Sequence, residues 1–205
     1  MRKYSLLKTF LSVALLSSSC TYAQEGVYDY ESRYFEEGGI LTDEIKMLKK
    51  TDESYKKAIN LLMDKNQMNA YVANVDPEVK EEDPKNTTTV YLPNWDKVIG
   101  LFAESCKRTS NPLSAWQGIY ILKTKYNNGS PDIFNLFAKT LYEKEKNLCE
   151  SYMSYGLVFE KGINTKQDLV KSLEIYKEGK SKCKADWEKA IIEGKIWNLS
   201  KQLKK

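Results

Sequence analysis

From Asn111 to the end of the chain, apolar residues recur at three- and four-residue spacing in segment after segment, each closed by a short break rich in Gly, Pro, Asn or Lys. Residues 112–126 form one such segment, stopped by Asn127-Asn128-Gly129, and 131–148 form the next, with Phe134, Phe137, Leu141 and Leu148 on one face. A third covers 149–161 and ends at Gly162, and a fourth covers 167–182 with Leu169, Leu173 and Tyr176. The last, over 185–203, carries Trp187, Ala190, Ile191 and Trp197. Short connections between consecutive amphipathic helices force antiparallel neighbours. The spacing therefore predicts an all-α chain of stacked antiparallel helical hairpins, a short α-solenoid.

Ahead of this stack, Ile45, Leu48, Tyr55, Ile59 and Leu62 keep helical spacing over residues 39–68, interrupted once by Asp52, with Thr42 placed to cap. The pattern predicts one long amphipathic helix behind an N-terminal arm. Residues 75–86 read VDPEVKEEDPKN, two prolines among a run of acids, and cannot bury enough to hold a regular element. The following TTTVYL (87–92) has β-type residues, and we read it as an extended lead-in to a helix over 94–108, with little or no sheet expected. The plan is a leader (1–23), an arm and helix (24–74), an acidic linker or loop (75–93) and a helical-repeat domain (94–205).

Within the repeat domain, Ser151-x3-Tyr155-Gly156-x2-Phe159-x2-Gly162-Ile163 is followed by Asp168-x2-Lys171-Ser172-x2-Ile175-Tyr176-Lys177. This resembles one unit of the Sel-one-like repeat, a relative of the tetratricopeptide repeat. A degraded unit precedes it around Gly118, Ala138, Lys139 and Tyr142, and the resemblance covers about a third of the chain, from Pro112 to Cys183. With so few units, the helices over 94–108 and 185–203 have to serve as caps. The resemblance implies a protein- or peptide-binding surface, and no cofactor is expected.

Cys149 opens the first helix of the better unit and Cys183 closes the second, so antiparallel packing brings them together. Cysteine-bridged repeats are also what the resemblance implies for exported members. Cys106 is then left over, unless it takes Cys149 itself or pairs between chains. By the same alignment, Tyr152 lies on a different face from the packing positions of its helix, and Trp116 and Tyr120 fall off the packing positions of the degraded unit. These three aromatics are the candidate partner-binding residues, aromatic side chains being the type that dominates binding energy. The competing reading covers them with the protein's own arm, including Tyr28 to Phe35.

Residues 1–23 have the layout of a secretory leader: Arg2, Lys3 and Lys8, then a short apolar stretch, then Ser17-Ser18-Ser19-Cys20-Thr21-Tyr22-Ala23. Cleavage after Ala23 removes three of the 32 basic residues and brings the remainder close to neutral against 28 acids. Cys20 offers a second route, as the lipidation site of a lipoprotein leader. Either route places the protein outside the cytosol, periplasmic, secreted or lipid-anchored, with contact to a membrane only through a lipid on Cys20, in a compartment that permits disulfides. A near-neutral mature chain argues against nucleic-acid binding.

The chain has no histidine. Catalysis by Ser-His-Asp or Cys-His groups and His-based zinc sites are thereby excluded. Glu36-Glu37 and Glu143/Glu145 could be drawn as a glycosidase pair, but chains this acidic yield such pairs readily and a solvated helix face is the better account. The expectation is an exported, non-catalytic adaptor or scaffold for a protein or peptide of the cell envelope. Alternatives are a cell-wall enzyme or carbohydrate-binding accessory, and an inhibitor or immunity-type partner of a secreted toxin.

Overall fold

The computed structural model describes residues 34–64, 66, 68–74, 87–126 and 129–204. The leader, Cys20 and the tyrosines at 28 and 30 lie outside them. The elements are α1 (Asp43–Thr51), α2 (Glu53–Met63), β1 (Asn69–Asn74), β2 (Thr87–Leu92), α3 (Trp95–Thr109), α4 (Pro112–Thr124), α5 (Pro131–Lys144), α6 (Cys149–Lys161), α7 (Leu169–Gly179) with a 3-10 turn (Lys180–Lys182), and α8 (Asp186–Gln202). The architecture is all-α, with consecutive helices packed on one another. Two compact units are distinguished, one holding Ile59–Val98 and the other the described residues up to Ala58 together with those from Ile99 onward.

In the first unit, TTTVYL is not a lead-in but a strand. β2 pairs antiparallel with β1, Asn69 standing opposite Leu92 and Asn74 opposite Thr87. The partner strand reads NAYVAN, whose asparagines and alanines carry little β signal of their own, so only the pairing reveals it. Residues 75–86, the stretch expected to be a linker or loop, lie outside the described residues.

In the second unit, the expected long helix is two. Asp52 ends α1 by donating its backbone N–H to the Leu48 carbonyl at 2.8 Å. It then turns to φ −83°, ψ 96°, and its Oδ1 accepts the Tyr55 N–H at 3.1 Å, so one residue closes α1 and caps α2. A side-chain oxygen bonding the backbone three residues on competes with helix continuation, which is why Asp interrupts helices and begins them. Asp52 Oδ2 also accepts from Ser105 Oγ at 2.6 Å, Thr109 Oγ1 at 2.8 Å and Asn111 Nδ2 at 3.2 Å. Buried, the carboxylate fastens the α1–α2 corner to α3 and the start of α4.

The stack from α4 onward follows the punctuation of its sequence. Asn111, Ser130 and Asp168 cap α4, α5 and α7 through their side chains, and Pro112 and Pro131 occupy the first turns that tolerate a missing N–H. α5 stops at Lys144, short of Leu148, because the chain turns at Glu145 (φ −120°, ψ 78°) and buries Leu148 in the bend before α6. Gly162 ends α6 in the left-handed region at φ +65°, as its glycine predicts. Gly118 and Gly156 are contact points, since a Cβ on either would overlap the ring of Phe137 on α5 or of Tyr176 on α7. Ser172 Oγ adds a hydrogen bond to the Gly156 carbonyl at 2.8 Å, locking α7 onto α6. The Cys149 and Cys183 sulfurs are at bonding distance, Cα to Cα 4.5 Å, and sit in a core with Tyr176, Ile192 and Leu199.

Candidate functional site

The helices alternate, and one side of the stack is furnished by α4, α6 and α8. Between them lies a half-open groove of about 320 Å³. Its apolar wall comes from Ile119 and Tyr120 on α4, Met153 and Leu157 on α6, and Trp187 and Ile191 on α8, with Trp116 and Tyr176 contributing edges. Trp187 and Ile191 are 55% and 47% exposed, so this wall is open to an incoming side chain.

The polar groups around the groove are already paired. Lys123 Nζ meets Glu150 Oε1 at 2.6 Å, and Ser154 Oγ donates to the same carboxylate. Lys195 Nζ meets both oxygens of Glu160 at 3.1 and 2.8 Å, and the Tyr176 hydroxyl donates to Glu160 at 2.9 Å. Burial alone would raise the Glu160 pKa, but the bonds from Lys195 and Tyr176 more than offset it and hold the carboxyl below its usual value. Burial and then the Glu160 charge push the Tyr176 hydroxyl far up, so it stays a donor. Trp116 Nε1 donates to Glu37 Oε2 at 3.0 Å. An apolar trough edged by ion pairs can seat side chains of a peptide and re-pair with its backbone or charges.

Of the three aromatics assigned to partner binding, Tyr120 lines the groove, half-buried and stacked on Trp116 at 5.6 Å with ring planes 13° apart. Trp116 itself is 1% exposed, because Tyr34 of the arm meets it edge-on at 5.9 Å and Glu37 takes its indole N–H. Its expected exposure is thereby corrected in favour of the competing reading, cover by the protein's own arm. Tyr152 is also corrected: it is 1% exposed, edge-on to Tyr142 at 5.5 Å, and its hydroxyl donates to the Lys146 carbonyl at 3.0 Å. It packs with Phe159 and Ile175 and does not line the groove. The residues that sequence reasoning missed are Ile119, Met153, Leu157, Trp187 and Ile191. The adjacent Ile191 and Ile192 carry a partial signal, two large aliphatics side by side on the last helix, of which Ile192 is buried and Ile191 is 47% exposed.

The acidic pairs divide their members. Glu143 is exposed, 3.8 Å from Lys139, whereas Glu145 is buried, and burial pushes its carboxyl above the usual range. The Tyr34 hydroxyl faces Glu145 without meeting hydrogen-bond geometry. Glu36 is exposed while Glu37 serves Trp116. Cys106 is buried with its thiol toward the Asn111 carbonyl at 3.6 Å, and burial raises its pKa far from a reactive thiolate. Among the described residues no cluster of Cys, Asp and Glu could hold a metal ion, and no helix is long and apolar enough to cross a membrane. Comparison with protein-family models, with curated proteins and with solved structures finds no match to this chain.

Proposed function

We propose that the protein is an exported, non-catalytic adaptor that holds a protein or peptide segment of the cell envelope in the groove of α4, α6 and α8. The observation that carries this reading is the open apolar wall of Tyr120, Leu157, Trp187 and Ile191 edged by the Lys123–Glu150 and Lys195–Glu160 pairs. A monomer seldom leaves large aromatic and aliphatic side chains exposed beside one another without a use for them. The secretory layout of the leader and the Cys149–Cys183 bridge support export. The likeness of the α6–α7 hairpin to a Sel-one-like unit supports a binding role, since such stacks bind through the side lined by alternate helices.

The test is affinity capture from the cell envelope with three forms of the protein: wild type, Ile191→Glu in the groove, and Val170→Glu on an exposed position of α7 outside it. Both substituted side chains are about half exposed, 47% and 55%, so neither change disturbs the core. One protein retained by wild type and Val170→Glu, and lost with Ile191→Glu, is the expected result. Equal retention by all three forms overturns the reading.

A further inference from the structure

Three stripes of this chain share one register. Positions 111, 114, 118 and 121 recur at a constant offset as 149, 152, 156 and 159, and at the same offset again as 187, 190, 194 and 197. The residues are Asn111, Ser114, Gly118 and Ile121 on and before α4; Cys149, Tyr152, Gly156 and Phe159 on α6; Trp187, Ala190, Gly194 and Trp197 on α8. The first two stripes are buried throughout. Each is covered by the helix that follows, which lays an aromatic ring over the glycine: Phe137 over Gly118 and Tyr176 over Gly156. The third stripe has the same glycine notch and no helix over it, only the Lys201 ammonium 5.1 Å from the Trp197 ring. Nothing lies within 4 Å of the position a Cβ would take on Gly194, and Trp187 and Trp197 are 55% and 64% exposed. A helix that merely capped the stack would turn a polar face outward at this place.

We infer that a second copy of the chain covers this stripe, α8 packing antiparallel on α8 of its partner. Trp187, Ala190, Gly194, Trp197 and Lys201 follow the 3-4-3-4 spacing of a helix–helix seam. The stripe is self-complementary. With Trp197 of one copy seated on Gly194 of the other, symmetry seats the second Trp197 on the first Gly194, and the Lys201 stem falls across Ala190. Trp197 then meets Gly194 and Lys201 meets Ala190, while Trp187 falls opposite Lys204; the first is the ring-over-glycine contact that Gly118 and Gly156 already receive within the chain. The charges agree with this direction. Asp186 and Glu193, paired with Lys189 and Lys180 of their own chain, lie in the N-terminal half of α8 and Lys201 and Lys204 in or just beyond its C-terminal half, so antiparallel pairing brings the lysines of each copy to the acids of the other as second partners. A parallel pair would oppose like charges and put Trp197 against Trp197. Trp187 belongs both to this seam and to the groove wall, whereas Gly194 and Trp197 do not line the groove, so substitutions at those two positions test the dimer apart from the proposed function.

The experiment is sedimentation equilibrium of the processed protein from about 1 to about 200 μM. The expected result is a monomer–dimer equilibrium in that range. Trp197→Asp should leave a monomer with unchanged helical circular dichroism and melting temperature. Gly194→Ala fills the notch and should weaken the dimer by roughly tenfold or more, while raising the monomer's melting temperature, because Ala favours an exposed helix over Gly. Those opposite effects distinguish loss of the interface from loss of the fold. A protein that stays monomeric throughout, or a dimer indifferent to both substitutions, overturns the inference.

Discussion

One carboxylate, that of Asp52, ties together α1, α2, α3 and the start of α4. Burial raises the energy of its charged form, yet the hydrogen bonds from Ser105, the Tyr55 N–H, Thr109 and Asn111 outweigh that and depress its pKa. A carboxylate with a depressed folded pKa adds stability that is present above its unfolded value, about 4, and is lost as pH falls through the folded one. Glu145 has the opposite sign. Burial raises its folded pKa, so its favourable contribution exists below about 4.3 and is lost as pH rises through the folded value. Asp52→Ala removes the acceptor of the buried Tyr55 N–H and Asn111 amide and leaves Ser105 and Thr109 only their bonds to Ser114 and to the Ser105 carbonyl. It should cost about 3 kcal/mol at neutral pH, read as a lower melting temperature, with the deficit shrinking toward pH 3. Glu145→Gln should instead raise the melting temperature at pH 7 and change little in acid. The Trp116 ring, wedged between Tyr34 and Tyr120, should cost about 3–5 kcal/mol when cut to Ala, as core aromatics do.

At the scale of elements, the α6–α7 hairpin was legible in the sequence to within a residue or two. Gly162 at the stop, Asp168 at the start and Gly156 at the contact each demand a particular backbone or space. The α1–α2 break was visible as Asp52 but read as an interruption, because a side chain that caps one helix while fastening two others draws on partners far along the chain, Ser105, Thr109 and Asn111. β1 was not legible, since its asparagines and alanines acquire a strand's identity only opposite TTTVYL. The site was half legible. Tyr120 lies half-buried on the groove wall, but Trp116 and Tyr152 are covered by Tyr34 and Tyr142, and the arm that buries Trp116 joins the stack through contacts that periodicity cannot register. The bridge belongs to this scale too. Closing a loop of 34 residues contributes about 3–4 kcal/mol by chain entropy. Cys183→Ser should therefore lower the melting temperature clearly, and non-reducing peptide mapping should recover a Cys149–Cys183 peptide pair, not one with Cys106.

For the molecule as a whole, Trp187 and Trp197 on α8 and Ile191 on the groove wall remain exposed, and α8 and the groove are the two surfaces on which partners are proposed. The account of export predicts a mature N-terminus at Gln24 or a lipid on Cys20, which mass spectrometry of protein recovered from the producing cell reads directly; an intact Met1 would remove the export argument. The groove is tested most directly by site-specific photocrosslinking in that cell, with a photoreactive side chain at position 120 in the groove or at position 170 outside it. The account predicts a discrete adduct with one envelope protein from position 120 and none from position 170. Adducts from position 170 alone, or none from position 120, would contradict it.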